Sequence, residues 1–174
     1  LLEKQAKSLL KNFPKNTILL NFMAFAYMGR KQENEAIGFY NDALKINPSC
    51  VDTHNNLGSV HKQKQDYDQA INYFEKAVKI NPKHLAANHN LADIYRIQKK
   101  WDKALFYFNR ISSSNSRAQI LECNYFLYGL DVYKKTLVKF FREEPYNLRI
   151  AAFATYVSKK DDIKNIYPFC NDPL

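Results

Sequence analysis

Cysteine, glycine and long apolar runs are scarce in this chain of 174 residues, and each scarcity narrows what the chain can do. The three cysteines, Cys50, Cys123 and Cys170, are odd in number, far apart and without a CxxC pair. They read as reduced thiols, which fits a cytoplasmic protein better than a disulfide-stapled one. With four glycines and no glycine-rich run there is no loop to cradle a phosphate. No GxSxG, HExxH or Cys–His spacing of a known nucleophile is present, so no catalytic residue and no cofactor is predicted. No apolar stretch reaches the roughly 18 residues that a membrane span needs, and the longest, Ile18 to Met28, reads as a single helix.

Histidine is also sparse. His54 and His61 are seven residues apart and His84 and His89 five, so neither pair has the i, i+4 spacing that places two ligands on adjacent turns, and no metal site is predicted.

What the chain does contain is a period. Pro14, Pro48 and Pro82 stand 34 residues apart, and the residues between them repeat in register. With each proline as position 32, one unit runs from Thr17 to Cys50, the next from Val51 to His84, and a third starts at Leu85. Position 7 reads Met23, Leu57, Leu91; position 8 Ala24, Gly58, Ala92; position 20 Ala36, Ala70, Ala104; position 24 Tyr40, Phe74, Phe108. Large residues fill the space between two helices, and small ones at 8 and 20 let the backbones approach. Position 11 is Tyr27, His61 and Tyr95, which places His61 in a packing role.

A period of 34 with this small and large pattern resembles the tetratricopeptide repeat (TPR) family, most closely over "NNLGSVHKQKQDYDQAINYFEKAVKINP". The resemblance implies an all-α fold, a right-handed α-α superhelix of antiparallel helix pairs. The expected organisation is a second helix of a preceding repeat at 1–16, repeats at 17–50, 51–84 and 85–114, a divergent pair at 115–146, a capping helix at 147–160, and a tail or linker at 161–174. Within a repeat, helix A covers positions 1 to 14 and helix B 17 to 30, closed by Asn47-Pro48 or Asn81-Pro82. In the third repeat the second helix is expected to run from Trp101 into "ISSSNS", with the break at Ser112 to Ser116. In the divergent pair, with Pro145 as position 32, Tyr133 occupies the small position 20, and a different packing angle is expected there. The missing initial methionine and the half repeat suggest a chain that begins inside a longer array. Its uncovered face of Leu2, Ala6, Leu9 and Leu10 is a candidate for self-association.

The net charge of +9 raises nucleic acid as a partner. Much of that charge is helix punctuation: Arg30, Lys31, Lys62, Lys64, Lys99 and Lys100 end A helices, while Glu33, Glu35, Asp66, Asp68 and Asp102 open B helices. A nucleic-acid surface needs Lys and Arg gathered on one face and interleaved with exposed aromatics, which disfavours that partner.

In the implied fold, positions 2, 5, 6, 9 and 13 of helix A line the inner face. They offer Asn21, Phe22 and Phe25, then Asn55, Asn56, Ser59 and Gln63, then His89, Asn90 and Asp93. Asn56 and Asn90 share position 6. An amide donates and accepts at once, so a row of them can grip an extended peptide backbone. This is similar to the asparagine ladder in the TPR region of O-linked N-acetylglucosamine transferases, with Phe22 departing from it in the first repeat. The carboxylate clamp known in the family fits only at Asn56, because Asn21, Phe25, Ala86 and Asn90 stand at its other positions. Lys62 and Arg96, at position 12, are placed on the groove's edge. Phe22 and Phe25 either pack against the first helix or form an apolar contact site. The expected role is a scaffold binding a protein or peptide through this groove. The alternatives are the targeting region of a bacterial enzyme, suggested by the likeness of "NIYPFCNDPL" to junctions before an oxygenase or sulfotransferase domain, and nucleic-acid binding through the surplus charge.

Overall fold

The computed structural model describes residues 2–111, 114–144, 146, 147 and 150, and every regular element among them is an α-helix. In chain order these are α1 (Leu2–Asn12), α2 (Thr17–Gly29), α3 (Glu33–Ile46), α4 (Val51–Gln63), α5 (Tyr67–Ile80), α6 (Leu85–Ile97), α7 (Trp101–Asn109), α8 (Ser114–Tyr128) and α9 (Leu130–Glu143). Between Ile94 and Tyr95, inside α6, the chain divides into two compact bodies. No described helix is long and apolar enough to cross a membrane.

The repeat is legible in the backbone. Lys31, Gln65 and Lys99, all at position 15, take the left-handed conformation with φ of 60°, 60° and 57°. That conformation lets the next N–H reach back to the carbonyl of position 11: Gln32 to Tyr27 at 3.0 Å, Asp66 to His61 at 2.9 Å, Lys100 to Tyr95 at 2.8 Å. These bonds satisfy carbonyls that a helix C-terminus otherwise leaves open. The second turn is equally regular. Asn47 and Asn81 each accept a backbone N–H two residues on with their side-chain oxygen, from Ser49 at 3.2 Å and Lys83 at 3.1 Å. The proline carbonyls of those turns are then held by position 4 of the following helix, where His54 Nε2 donates to Pro48 O at 2.8 Å and Asn88 Nδ2 to Pro82 O at 3.0 Å. Two polar side chains thus sit buried at a position that Leu20 fills in the first repeat.

In the N-terminal body, Ala24, Ala36, Tyr40, Leu57 and Val60 form one buried cluster, joined by Tyr27, Phe39 and Tyr73. Each repeat stacks position 11 on position 23: Tyr27 on Phe39 at 5.3 Å, His61 on Tyr73 at 5.4 Å and, in the C-terminal body, Tyr95 on Tyr107 at 5.7 Å between ring centroids. At position 8 of the second repeat there is no room for a side chain. A Cβ built on Gly58 would lie 2.6 Å from Phe74 Cε1, inside van der Waals contact.

The C-terminal body departs from the expected boundaries. Helix α7 stops at Asn109 instead of running into the serines, and α8 already starts at Ser114, so Ser114 to Ser116 are helical rather than loop. Ser116 is buried there; Ser112 and Ser113 lie outside the described residues. A single residue, Gly129 with φ of 80°, joins α8 to α9. At the positions equivalent to 8, 20 and 24, the bulky Leu121, Tyr133 and Leu137 pack in one buried cluster with Ile150. Tyr133 is therefore accommodated inside the pair. Its hydroxyl is buried without a hydrogen-bond partner among the described residues, and burial pushes its pKa up to about 12. Of the capping helix expected at 147–160, only Asn147 and Ile150 are described, and the 161–174 tail with Cys170 lies outside the described residues.

Candidate functional site

Helices α2, α4 and the part of α6 up to Ile94 belong to the N-terminal body and form one wall of A helices. Side chains tie the helices together. Thr53 Oγ1 on α4 donates to Asn21 Oδ1 on α2 at 2.9 Å, and Asn21 Nδ2 donates back to Thr17 O at 2.8 Å. Between α4 and α6, Asn90 Nδ2 donates to Asn55 Oδ1 at 3.2 Å. Lys62 Nζ donates both to Asn90 Oδ1 at 3.2 Å and to Asp93 Oδ2 at 3.3 Å. His89 Nδ1 lies 3.4 Å from the same Asp93 oxygen. Four of the residues expected to line the groove, Asn55, His89, Asn90 and Asp93, are thus joined with Lys62, expected at its edge, in one connected polar network. Lys62 and Asp93 expose 26% and 21% of their side chains, so the pair is partly shielded from water.

The network changes what each residue can offer. Asn90 has its oxygen and one N–H engaged within the protein, and Lys62 is neutralised by Asp93 rather than standing free at an edge. Ser59 donates to the carbonyl of Asn55 in its own helix at 3.0 Å. Asn56 is different. It is half-buried, and its amide makes no hydrogen bond among the described residues; the exposed Gln63 makes none either. On α2, Ile18, Phe22 and Phe25 point away from the core and are 78%, 41% and 71% exposed. Their spacing of four and three puts them on one face of the helix, and Phe22 and Phe25 are both exposed there. On the apolar face of α1, Leu9 is exposed and Leu10 half-buried; the side chains of Leu2 and Ala6 lie outside the described residues.

The repeated turns, stacks and small-residue contacts coincide with a family pattern. The tetratricopeptide repeat model matches residues 15–83 and, in an overlapping register, residues 49–113. The chain belongs to the tetratricopeptide repeat family. Solved TPR structures share the fold. The chain aligns with PilF of Pseudomonas aeruginosa at a TM-score of 0.68 and 19% identity, covering 88% of this chain and 72% of that one. With the MamA protein the TM-score is 0.71 at 20% identity, over 84% and 83% of the two chains. With YrrB, described as a TPR protein with an unusual peptide-binding site, it is 0.72 at 18% identity, over 92% and 88%. No curated protein sequence matches the chain.

In the TPR frame, position 12 of the third repeat, Arg96, belongs to the C-terminal body, where it pairs with Glu122 at 3.5 Å. Near it is a group of side chains that the groove positions of the first three repeats did not single out. Trp101 stacks on Phe126 with ring centroids 4.3 Å apart and planes 10° apart, and Tyr125 meets Phe126 edge-on at 5.4 Å. Phe126 falls at position 13 of the divergent pair when Pro145 is taken as position 32, one of the positions expected to line the inner face of helix A, and this was the available signal. Cys123 is fully buried on the same helix, and burial, aided by the neighbouring Glu122 carboxylate, pushes its thiol up to about 12.

Proposed function

We propose that this TPR chain is a protein-interaction scaffold whose N-terminal wall holds an extended peptide segment, with its apolar side chains over α2 and its backbone on α4. The observation that carries the reading is the pairing of an unengaged, half-buried amide at Asn56 with the exposed apolar stripe of Ile18, Phe22 and Phe25 on the neighbouring A helix. A free amide can donate and accept one hydrogen bond each to a backbone, whatever the sequence. Exposed aromatics gathered on one face favour an apolar anchor on the ligand. The uncharged character of positions 2, 5, 6, 9 and 13 on α2 and the internal neutralisation of Lys62 by Asp93 favour a neutral segment over an acidic one. The peptide-binding site named for YrrB supports the same use of the fold. Asn55, His89, Asn90 and Asp93 act in this reading as the frame that fixes the register of α4 against α6, with Ser59 and Gln63 beside the ligand.

The test is selection of a random 12-residue peptide display library on the full chain, followed by affinity measurements on the enriched peptides. Asn56→Ala is expected to weaken them about tenfold, the scale of one or two lost hydrogen bonds, and Phe22→Ala with Phe25→Ala by more. Peptides that bind both variants as tightly as the parent chain would remove the proposal.

A further inference from the structure

We infer that the C-terminal body carries a second, independent binding surface, built from Lys99, Lys100, Trp101, Tyr125 and Phe126, whose ligand is a single-stranded nucleic acid. The turn between α6 and α7 brings the two lysines and Trp101 to the end of α8, as the Trp101–Phe126 stack shows. Tyr125 and Phe126 are 48% and 54% exposed, and both lysines are exposed. Tyr125 and Phe126, adjacent exposed aromatics with Trp101 stacked beside them, mark a contact surface rather than a packing remnant. Phe126 is held by its neighbours: Trp101 stacks on one face and Tyr125 meets it in a T-shaped contact. A fixed, accessible ring is a platform on which any base can stack.

Charge says which ligand it is. Residues 1–94 hold twelve Lys and Arg against nine Asp and Glu, whereas residues 95–144 hold ten against five, so the basic surplus is concentrated in the C-terminal body. Two of its arginines, which can grip a carboxylate or a phosphate in two-pronged fashion, are already used. Arg96 pairs with Glu122, and Arg117 pairs with Glu143 at 2.9 Å and Glu144 at 3.4 Å. The cations beside the rings are lysines, point charges suited to a phosphate chain. Lys99 and Lys100, which end a helix like their counterparts in the first two repeats, here adjoin exposed aromatics and so meet the requirement of a nucleic-acid surface. The site lies wholly in the C-terminal body and stands whether or not the N-terminal wall binds peptides.

Trp101 is the sole tryptophan of the chain, so its emission reports on this surface alone. The experiment titrates the full chain with a labelled 12-nucleotide oligo(dT) between 25 and 200 mM NaCl, following both the label's anisotropy and Trp101 emission. A glutamate-rich peptide of equal charge is run in parallel. Binding with quenching of Trp101 is expected, weakened about tenfold by Phe126→Ala. Lys99→Gln with Lys100→Gln is expected to flatten the log–log salt slope by about 1.4. Gln65 adopts the same left-handed conformation at the same repeat position, so this double variant keeps the turn. Absence of oligo(dT) binding at 25 mM NaCl, binding that leaves Trp101 emission unchanged, or full binding in the double variant would each overturn the inference. Equal or tighter binding of the glutamate peptide with the same quenching would reassign the surface to acidic protein segments and overturn it too.

Discussion

Replacing Gly58 by alanine sets two known energies against each other, and the structure decides the sign. Glycine in a helix interior costs about 1 kcal/mol relative to alanine, so the substitution should stabilise α4 by that amount if the space were open. It is not open. The added Cβ would stand 2.6, 2.7 and 2.9 Å from Cε1, Cδ1 and Cζ of Phe74, where ordinary carbon contacts lie near 3.5 to 4.0 Å. Phe74 is fully buried, so its ring must retreat by about 1 Å into a packed core, at roughly 1–3 kcal/mol. The net expectation is a loss of about 1 kcal/mol. Gly38 supplies the control, because it is exposed within α3 and a Cβ there meets nothing within 4 Å. Gly38→Ala should gain up to about 1 kcal/mol by the same propensity argument. Urea unfolding followed by helical circular dichroism measures both, and their difference, about 2 kcal/mol, isolates the contact with Phe74. Adding Phe74→Leu to Gly58→Ala should recover part of the loss, since the ring atoms in the way are gone. If Gly58→Ala stabilises as much as Gly38→Ala, close backbone approach at position 8 is not what glycine provides.

Two further outcomes follow from buried groups of the C-terminal body. Tyr133→Phe removes a buried hydroxyl that has no partner among the described residues and should stabilise the protein by about 1 kcal/mol at pH 8. Because the folded pKa lies near 12 and the unfolded one near 10, the parent chain loses stability as pH rises above 10, and the variant's advantage should widen by about 1 kcal/mol at pH 11; a constant gap in unfolding midpoints would contradict the burial argument. In a Cys170→Ser chain, iodoacetamide at pH 8 should modify the half-buried Cys50 and spare the fully buried, protonated Cys123 until urea is added, with intact-mass spectrometry counting the adducts. Two adducts on the native chain would refute it.

The helices were legible because their signals are local and repeated. The proline period, the small residues at positions 8 and 20 and the charges at helix ends lie within a few residues of what they control, and α2 to α6 begin and end close to where those signals put them. The third repeat lost its proline, and with it the marker for the end of the second helix. The serines read as a break because Ser favours turns, yet Ser114 to Ser116 begin α8, where a serine suits a helix start equally well. The same ambiguity of a short polar side chain serves both readings.

The polar face was legible only as a list of positions. Helical spacing places Asn55, Asn56, Asn90 and Asp93 on one side, but it does not fix how far α4 is shifted along its axis against α6. That shift decides which amide meets which. In the structure it brings Asn55 within 3.2 Å of Asn90, one position off the like-with-like pairing of position 6 with position 6, and sets Lys62 between Asn90 and Asp93. Asn56 is thereby left out of the network. Two residues that share a repeat position are consequently unequal: Asn90 is spent on holding neighbouring helices in register, while the donor and acceptor of Asn56 are unused among the described residues. A repeat pattern gives equivalence in backbone; hydrogen bonding between successive repeats, which depends on the residue one repeat away, breaks it. An effect of Asn56→Ala on binding with little effect on stability, against an effect of Asn90→Ala on both, is the difference this asymmetry requires.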